Sequence, residues 1–292
     1  MSNAVSVTIV NAFVDGDEGG NPAGVVLKAD AFTSEQKLAI ARQVGLSETA
    51  FVSASDVADI KLEFFTPACQ IAHCGHATIA TFSLLRERGS IGEGPSSKET
   101  IDGVRRIDLQ GDLVFMEQRA PQYTALSAEQ ERSALAALGV GPEGLAAGLS
   151  PCIVNTGNSF LLVPLGDGEW LASLKPDFEA IERMSETLDL VGVYPFVQLP
   201  PAAARQARTR MFAPRYGIRE EAATGTAAGP LACYLVDRAG ASMTTLHIEQ
   251  GQCMAAPSPS VLTVRLELEG RRIARLFVGG RARVRETVQV RL

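Results

Sequence analysis

The chain is short of the features that would place it outside ordinary soluble globular proteins. Cations are in deficit: 27 Lys and Arg stand against 33 Asp and Glu, a formal net charge of −6 over 292 residues. Such a balance leaves no basic face able to neutralise a row of phosphates, so nucleic acid and anionic membranes are excluded as expected partners. No stretch approaches the roughly 18 unbroken apolar residues that a membrane helix needs. The segment Met1–Val10 has no basic region ahead of an apolar core, so no secretory leader is expected. Cysteines number 5, an odd count scattered over positions 69, 74, 152, 233 and 253. That pattern suits a reduced, cytoplasmic chain rather than a disulfide framework.

Several motifs are missing as well. There is no Gly-x-Ser-x-Gly elbow, no Walker A loop and no dinucleotide fingerprint. Asp15-Gly16-Asp17 opens like a calcium loop, but Val26 stands where the bidentate glutamate belongs. Cys69, His73, Cys74 and His76 invite a zinc reading, yet four ligands crowded together are not the two-pair spacing of a structural zinc site. No metal is expected.

What is present is a mixed pattern of strands and helices. Short β-rich runs such as Val5–Val14, Thr49–Ser53 and Ile60–Phe65 are followed later by Leu190–Leu199, Val261–Leu268 and Val284–Val290. Thr33-Ser34-Glu35-Gln36 and Ser127-Ala128-Glu129-Gln130 are capping boxes that open helices ending near Gly45 and Gly139. Two more helices, from about His76 to Gly89 and from about Thr226 to Gly240, begin apolar on most faces, which predicts burial. Strands and helices do not alternate regularly, so the class is α+β rather than a doubly wound parallel sheet.

The chain also echoes itself. Ile9-Val10-Asn11 with Gly20-Asn21 recurs as Ile153-Val154-Asn155 with Gly157-Asn158. Phe65-Thr66-Pro67 recurs as Phe212-Ala213-Pro214, and Cys74-Gly75-His76-Ala77 as Thr224-Gly225-Thr226-Ala227. Three blocks in one order predict two pseudo-symmetric domains, consistent with a length of about two domains of roughly 150 residues. The expected halves are 1–125 and 126–292, with the last C-terminal strand free to return to the first half and a site in the cleft between them.

Both echoed blocks place a glycine at the first turn of a buried helix. Such an end offers unpaired N–H groups and about half a positive charge, a fit for a small carboxylate; a glycine there can equally serve a tight strand end or helix crossing. Glu48 lies between a helix end and the apolar run Thr49–Val52. On the lip of a buried strand its pKa would be raised towards neutrality, as a proton carrier requires; an exposed loop carboxylate would read the same way. His76, one of 3 histidines, starts a helix whose dipole favours neutral imidazole.

Taken together, these blocks resemble the phenazine-biosynthesis PhzF-like family of the diaminopimelate-epimerase-like superfamily. The resemblance rests on Asn11-Ala12-Phe13 with Gly20-Asn21-Pro22-Ala23-Gly24-Val25, on Ser47–Val52, on Phe65-Thr66-Pro67 with Cys74–Thr78, on Phe212-Ala213-Pro214 with Glu220–Ala228, and on Val278-Gly279-Gly280. It implies two domains, each a β-barrel-like sheet around a central helix, a homodimer, and no cofactor. It also implies an isomerase moving a proton on a small cyclic amino acid such as dihydro-3-hydroxyanthranilate. By position, Glu48 would shuttle the proton, His76, Glu221 and Thr226 would surround the substrate, and N–H groups near Gly75 and Gly225 would hold its carboxylate. The chain departs from the family at Glu221-Ala222, where Asp-Pro is usual, and at Thr226, often Ser; such changes in a small pocket alter selectivity by about 1–3 kcal/mol.

Three functions compete. The first is a cofactor-independent isomerase using Glu48, with His76 and Glu221 beside it and Cys74, Gly75, Thr224, Gly225 and Thr226 binding the small-molecule carboxylate. The second is a cysteine-based epimerase, racemase or hydroxyproline-dehydratase-like enzyme working through Cys74; here Thr224 stands where a two-base racemase needs a second thiol, and a hydroxyl is too weak an acid to share that work. The third is a non-catalytic binder of small carboxylates.

Overall fold

The computed structural model describes residues 4–292, which form two units of compact contacts. The first unit takes the chain up to Glu117 together with Gly279–Leu292, and the second is Gln118–Val278. The division therefore falls ahead of the 125/126 boundary read from sequence, and the C-terminal segment belongs with the N-terminal half.

In the first unit the chain runs β1 (Ala4–Ala12), β2 (Asn21–Val26), α1 (Ser34–Val44), β3 (Thr49–Ser53), β4 (Ile60–Phe65), β5 (Gln70–Ile71), α2 (Gly75–Glu87), β6 (Gly94–Thr100), β7 (Gly103–Gln110) and β8 (Leu113–Gln118). α1 is bounded as its sequence dictates. Thr33 and Gln36 form the reciprocal capping box, and Gly45 closes the helix with φ 69°, the left-handed conformation that costs glycine nothing. α2 is the central helix. Gly75 through Phe82, Leu84 and Leu85 are all buried, against β1, β2, β3 and the last strand of the chain. Its two buried threonines do not waste their hydroxyls: Thr78 Oγ1 donates to the Cys74 carbonyl at 2.6 Å and Thr81 Oγ1 to that of Ala77 at 2.7 Å.

The second unit runs β9 (Gln122–Ala125), α3 (Ala128–Leu138), β10 (Cys152–Asn155), β11 (Ser159–Leu165), α4 (Gly168–Ser173), α5 (Phe178–Thr187), β12 (Gly192–Gln198), β13 (Ala207–Thr209), α6 (Gly225–Asp237), β14 (Thr245–Gln250), β15 (Ser260–Glu269) and β16 (Arg272–Gly280). The last strand, β17 (Ala282–Arg291), belongs to the first unit and pairs antiparallel with β1 along its whole length. α6 repeats the role of α2, buried from Ala227 to Leu235 and packed on β10, β11 and β15. A separate apolar core, with Leu161, Val163, Ile181, Val193 and Phe212 at its centre, lies among α3, α5 and the neighbouring strands.

The echo in the sequence is an echo in the ladders. In the first unit the order β17–β1–β2–β3–β4–β6–β7 is joined by antiparallel, antiparallel, parallel, antiparallel, parallel and antiparallel pairings. In the second, β9–β10–β11–β12–β13–β14–β15 shows the same six in the same order. The fold is thus α+β with two pseudo-symmetric halves. Among the described residues, no helix is long and apolar enough to cross a membrane.

Candidate active site

Glu48, Cys74 and His76 come together in the first unit, all three buried. The loop after α1 carries Glu48 into β3, and its backbone carbonyl accepts the N–H of Gly24 on the parallel neighbour β2 at 3.1 Å. Cys74 is the N-cap of α2 and makes no side-chain cap bond. His76, two residues further on, presents its two nitrogens to different neighbours. Nε2 is 3.2 Å from Glu48 Oε2, and Nδ1 is 3.5 Å from Cys74 Sγ. The Glu48–His76 approach lies off the direction of an aligned hydrogen bond, which makes it a charge contact.

The protonation states differ from those the sequence suggested. Burial pushes the Glu48 carboxyl up, but the His76 imidazole beside it outweighs burial and leaves it below the ordinary carboxylate range. Burial likewise pushes His76 down, yet its contacts with Cys74 and Glu48 lift it well above the ordinary imidazole range. The helix-start argument for a neutral His76 therefore fails, because Cys74 and Glu48 on either side of the ring together outweigh the helix end. Burial raises the Cys74 thiol despite His76 beside it. At neutral pH the site is a carboxylate–imidazolium pair next to a neutral thiol, with Glu48 in its proton-accepting form.

Glu48, Cys74 and His76 offer ligand atoms within 4.8 Å of one another, the one group of this kind among the described residues. The imidazole sits between the other two, turning Nε2 to Glu48 and Nδ1 to Cys74. A single ion held by one of these nitrogens would face away from the partner of the other, so the donors do not form a metal cradle. Cys69 is exposed and His73 turns to Lys98 at 3.4 Å, which disperses the four-residue cluster considered from sequence.

In the second unit Glu221, Thr224, Gly225 and Thr226 share one turn at the start of α6. Thr224 is the N-cap without a side-chain cap bond; its hydroxyl instead donates to the Glu221 carboxylate. Pro230 has no N–H for the Thr226 carbonyl, which loosens the first turn further. Sequence reasoning missed two residues that hold this turn. Gln250, fully buried at the end of β14, donates to the Glu221 carbonyl at 2.7 Å and to Thr224 Oγ1 at 3.1 Å. Its Oε1 accepts from Thr224 N at 3.1 Å and from the Tyr194 hydroxyl at 2.8 Å. Gln118 donates to the Gly225 carbonyl at 2.9 Å and accepts from the Thr156 hydroxyl at 2.8 Å. Neither glutamine lies in a motif; Gln250 sits at the end of β14, opposite Thr209 of the parallel neighbour β13 and Ser260 of the antiparallel neighbour β15.

The profile of the PhzC-PhzF family, described as phenazine biosynthesis-like protein, matches residues 10–287. An Escherichia coli O157:H7 protein named "Uncharacterized isomerase YddE" is 32% identical over 232 residues, 78% of this chain and 77% of that one. A Pseudomonas chlororaphis protein named trans-2,3-dihydro-3-hydroxyanthranilate isomerase is 31% identical over 278 residues, 93% of this chain and 94% of that one. The crystal structure of a PhzF-family phenazine biosynthesis protein from Bacillus anthracis superposes with a TM-score of 0.89 at 28% identity, covering 99% of both chains.

Proposed function

The chain belongs to the phenazine biosynthesis-like PhzC-PhzF family, and from that premise we propose that it is a cofactor-independent isomerase that moves a proton on a small carboxylate, with Glu48 as the shuttle. The single observation that carries the reading is the state of Glu48: buried, held ionised by His76, and with Oε2 outside any aligned hydrogen bond. A general base needs that form at the pH where it works.

In the proposed step, the Glu48 carboxylate takes a proton from a carbon next to a conjugated system. The electron pair of that C–H bond moves along the system to a second carbon, and the Glu48 carboxylic acid returns the proton there. No atom is gained or lost, and no oxidant or reductant is consumed. His76 as imidazolium stabilises the carboxylate form before and after transfer. In this reading N–H groups at the start of α2 near Gly75 hold the substrate's carboxylate. The family resemblance adds Gly225, Glu221 and Thr226 as expected binding residues and a homodimer as the expected active form. Trans-2,3-dihydro-3-hydroxyanthranilate, the substrate named for the P. chlororaphis relative, is the compound to try first.

NMR of that compound in D₂O with wild type and with Glu48→Gln tests the reading. Deuterium uptake into an isomerised product with wild type alone supports it. A fully active Glu48→Gln enzyme ends it, since glutamine cannot accept the proton.

A further inference from the structure

Lys98 on β6 is the most deeply buried Lys, Arg, Asp or Glu side chain among the described residues, at 0% exposure, and the proton transfer proposed above makes no use of it. Its surroundings form a built site. Nζ donates to Thr78 Oγ1 at 2.6 Å, lies 3.4 Å from Nδ1 of His73, and stands over the Phe64 ring at 5.0 Å. Thr78 in turn donates to the Cys74 carbonyl at 2.6 Å. A continuous line therefore runs from the Lys98 ammonium through one hydroxyl to the N-cap carbonyl of the helix that carries Gly75 and His76.

Resting on the isomerase reading, we propose that Lys98 is a positioning residue for the reaction, holding through Thr78 the Cys74–Gly75–His76 turn that sets the contact between His76 and Glu48. An ammonium in this pocket has a hydroxyl, a neutral imidazole and an aromatic face for its three N–H bonds, so it is oriented rather than merely enclosed. The Thr78 hydroxyl accepts from Lys98 on one side and donates to the Cys74 carbonyl on the other, so the two bonds favour one orientation of its O–H. The charged and titratable groups around Lys98 are His73 before α2, Cys74 at its start, Arg105 on β7 opposite Lys98, and Asp102 in the turn between β6 and β7. Burial, opposed by Cys74 and reinforced by Arg105, brings the ammonium down to about 7. Burial and the nearby Lys98 charge keep His73 well below its ordinary range, hence neutral and able to accept.

The test uses Lys98→Met, Thr78→Val and Thr78→Ser in the full chain. With 3 histidines, each imidazole can be followed in ¹⁵N-labelled protein without substrate. Loss of the brace loosens the His76–Glu48 contact, so His76 should titrate closer to an ordinary imidazole in Lys98→Met and Thr78→Val and keep its wild-type titration in Thr78→Ser. In turnover, kcat should fall on the order of 10–100-fold in the first two variants with KM within about threefold, as misplacement of a catalytic group predicts, and Thr78→Ser should restore it. If Lys98→Met fails to fold, Thr78→Val, which keeps the shape, decides alone. An unchanged His76 titration with unchanged kcat in folded Lys98→Met or Thr78→Val overturns the proposal, as does a His76 pKa that rises, which would mean only that a positive charge had been removed. Failure of wild type to exchange deuterium overturns the isomerase reading instead, while the substrate-free titration still decides on Lys98.

Discussion

His76 Nε2 stands 3.2 Å from Glu48 Oε2, with both side chains buried and each holding the other in its charged form. The pair exists as an ion pair from above the depressed pKa of Glu48 to below the raised pKa of His76. Its effect on stability has a definite sign. The unfolded reference of histidine is about 6.5. A raised folded value means the His76 contribution is full below that pH and is lost as pH rises through the folded value. The depressed Glu48 contributes above about pH 4.3, its unfolded reference, and is lost as pH falls through its folded value.

Removing the cation leaves a buried carboxylate without its partner. His76→Asn should destabilise the protein by about 3–5 kcal/mol at pH 6 in urea unfolding, with the gap narrowing on the alkaline side. In the same variant burial is opposed only by the weaker Ser47 contact, so the Glu48 carboxyl should move above its ordinary range. Infrared difference spectra of His76→Asn against His76→Asn/Glu48→Gln would then show a protonated carboxyl band at mildly acidic pH that wild type lacks. A gap independent of pH across the alkaline range would contradict the linkage.

Cys74 separates the two enzymatic readings. Its thiol is buried and its pKa raised, a poor state for a nucleophile or a base at neutral pH. Cys74→Ser should therefore retain deuterium exchange within about tenfold, since Glu48 and His76 remain; the general base it would replace is worth roughly 10²–10⁴-fold where it acts. Loss of all exchange in a folded Cys74→Ser protein would favour thiol chemistry.

The repeat, the four long helices and the site motifs were legible in the sequence because their determinants are local. Capping boxes, Gly45 and Gly139 mark α1 and α3, and the Cys74-Gly75-His76 and Thr224-Gly225-Thr226 blocks mark the starts of α2 and α6. α4 and α5 escaped because their caps are Asp167 and Asp177, whose carboxylates accept N–H bonds without a capping-box partner. β6 escaped because Gly94–Thr100 is polar, with Lys98 turned inward, and gives no apolar alternation. The charge states of Glu48 and His76 were read wrongly because each was judged by its own element, the strand lip and the helix end. Their mutual contact is a tertiary fact.

Gln250 makes a strong demand on unit 2. It satisfies Thr224 N, the Tyr194 hydroxyl, the Glu221 carbonyl and the Thr224 hydroxyl at once. Gln250→Leu keeps much of the volume but orphans two buried donors, Thr224 N and the Tyr194 hydroxyl, each worth about 1–3 kcal/mol when unsatisfied. The expected outcome is a loss of about 2–6 kcal/mol in unfolding free energy, with weaker binding of a small carboxylate by the folded fraction in calorimetry. Wild-type stability would mean that water replaces the amide.

Gly229 offers a substitution whose helix propensity and packing predict opposite results. In α6 an alanine is the better helix former by about 1 kcal/mol, and on propensity alone Gly229→Ala should stabilise. A Cβ at Gly229, however, would come within 2.1 Å of Gln118 Oε1 and 2.8 Å of a Leu276 methyl. Gln118 is nearly fully buried and cannot move without releasing the Gly225 carbonyl and the Thr156 hydroxyl. Each lost buried hydrogen bond costs about 1–3 kcal/mol, so packing should win and Gly229→Ala should be destabilising by roughly 1–3 kcal/mol. The double variant Gly229→Ala/Gln118→Ala, which removes the obstructing amide, should add little to the single change. Additive losses in that cycle would show that Gln118 is not what keeps position 229 a glycine.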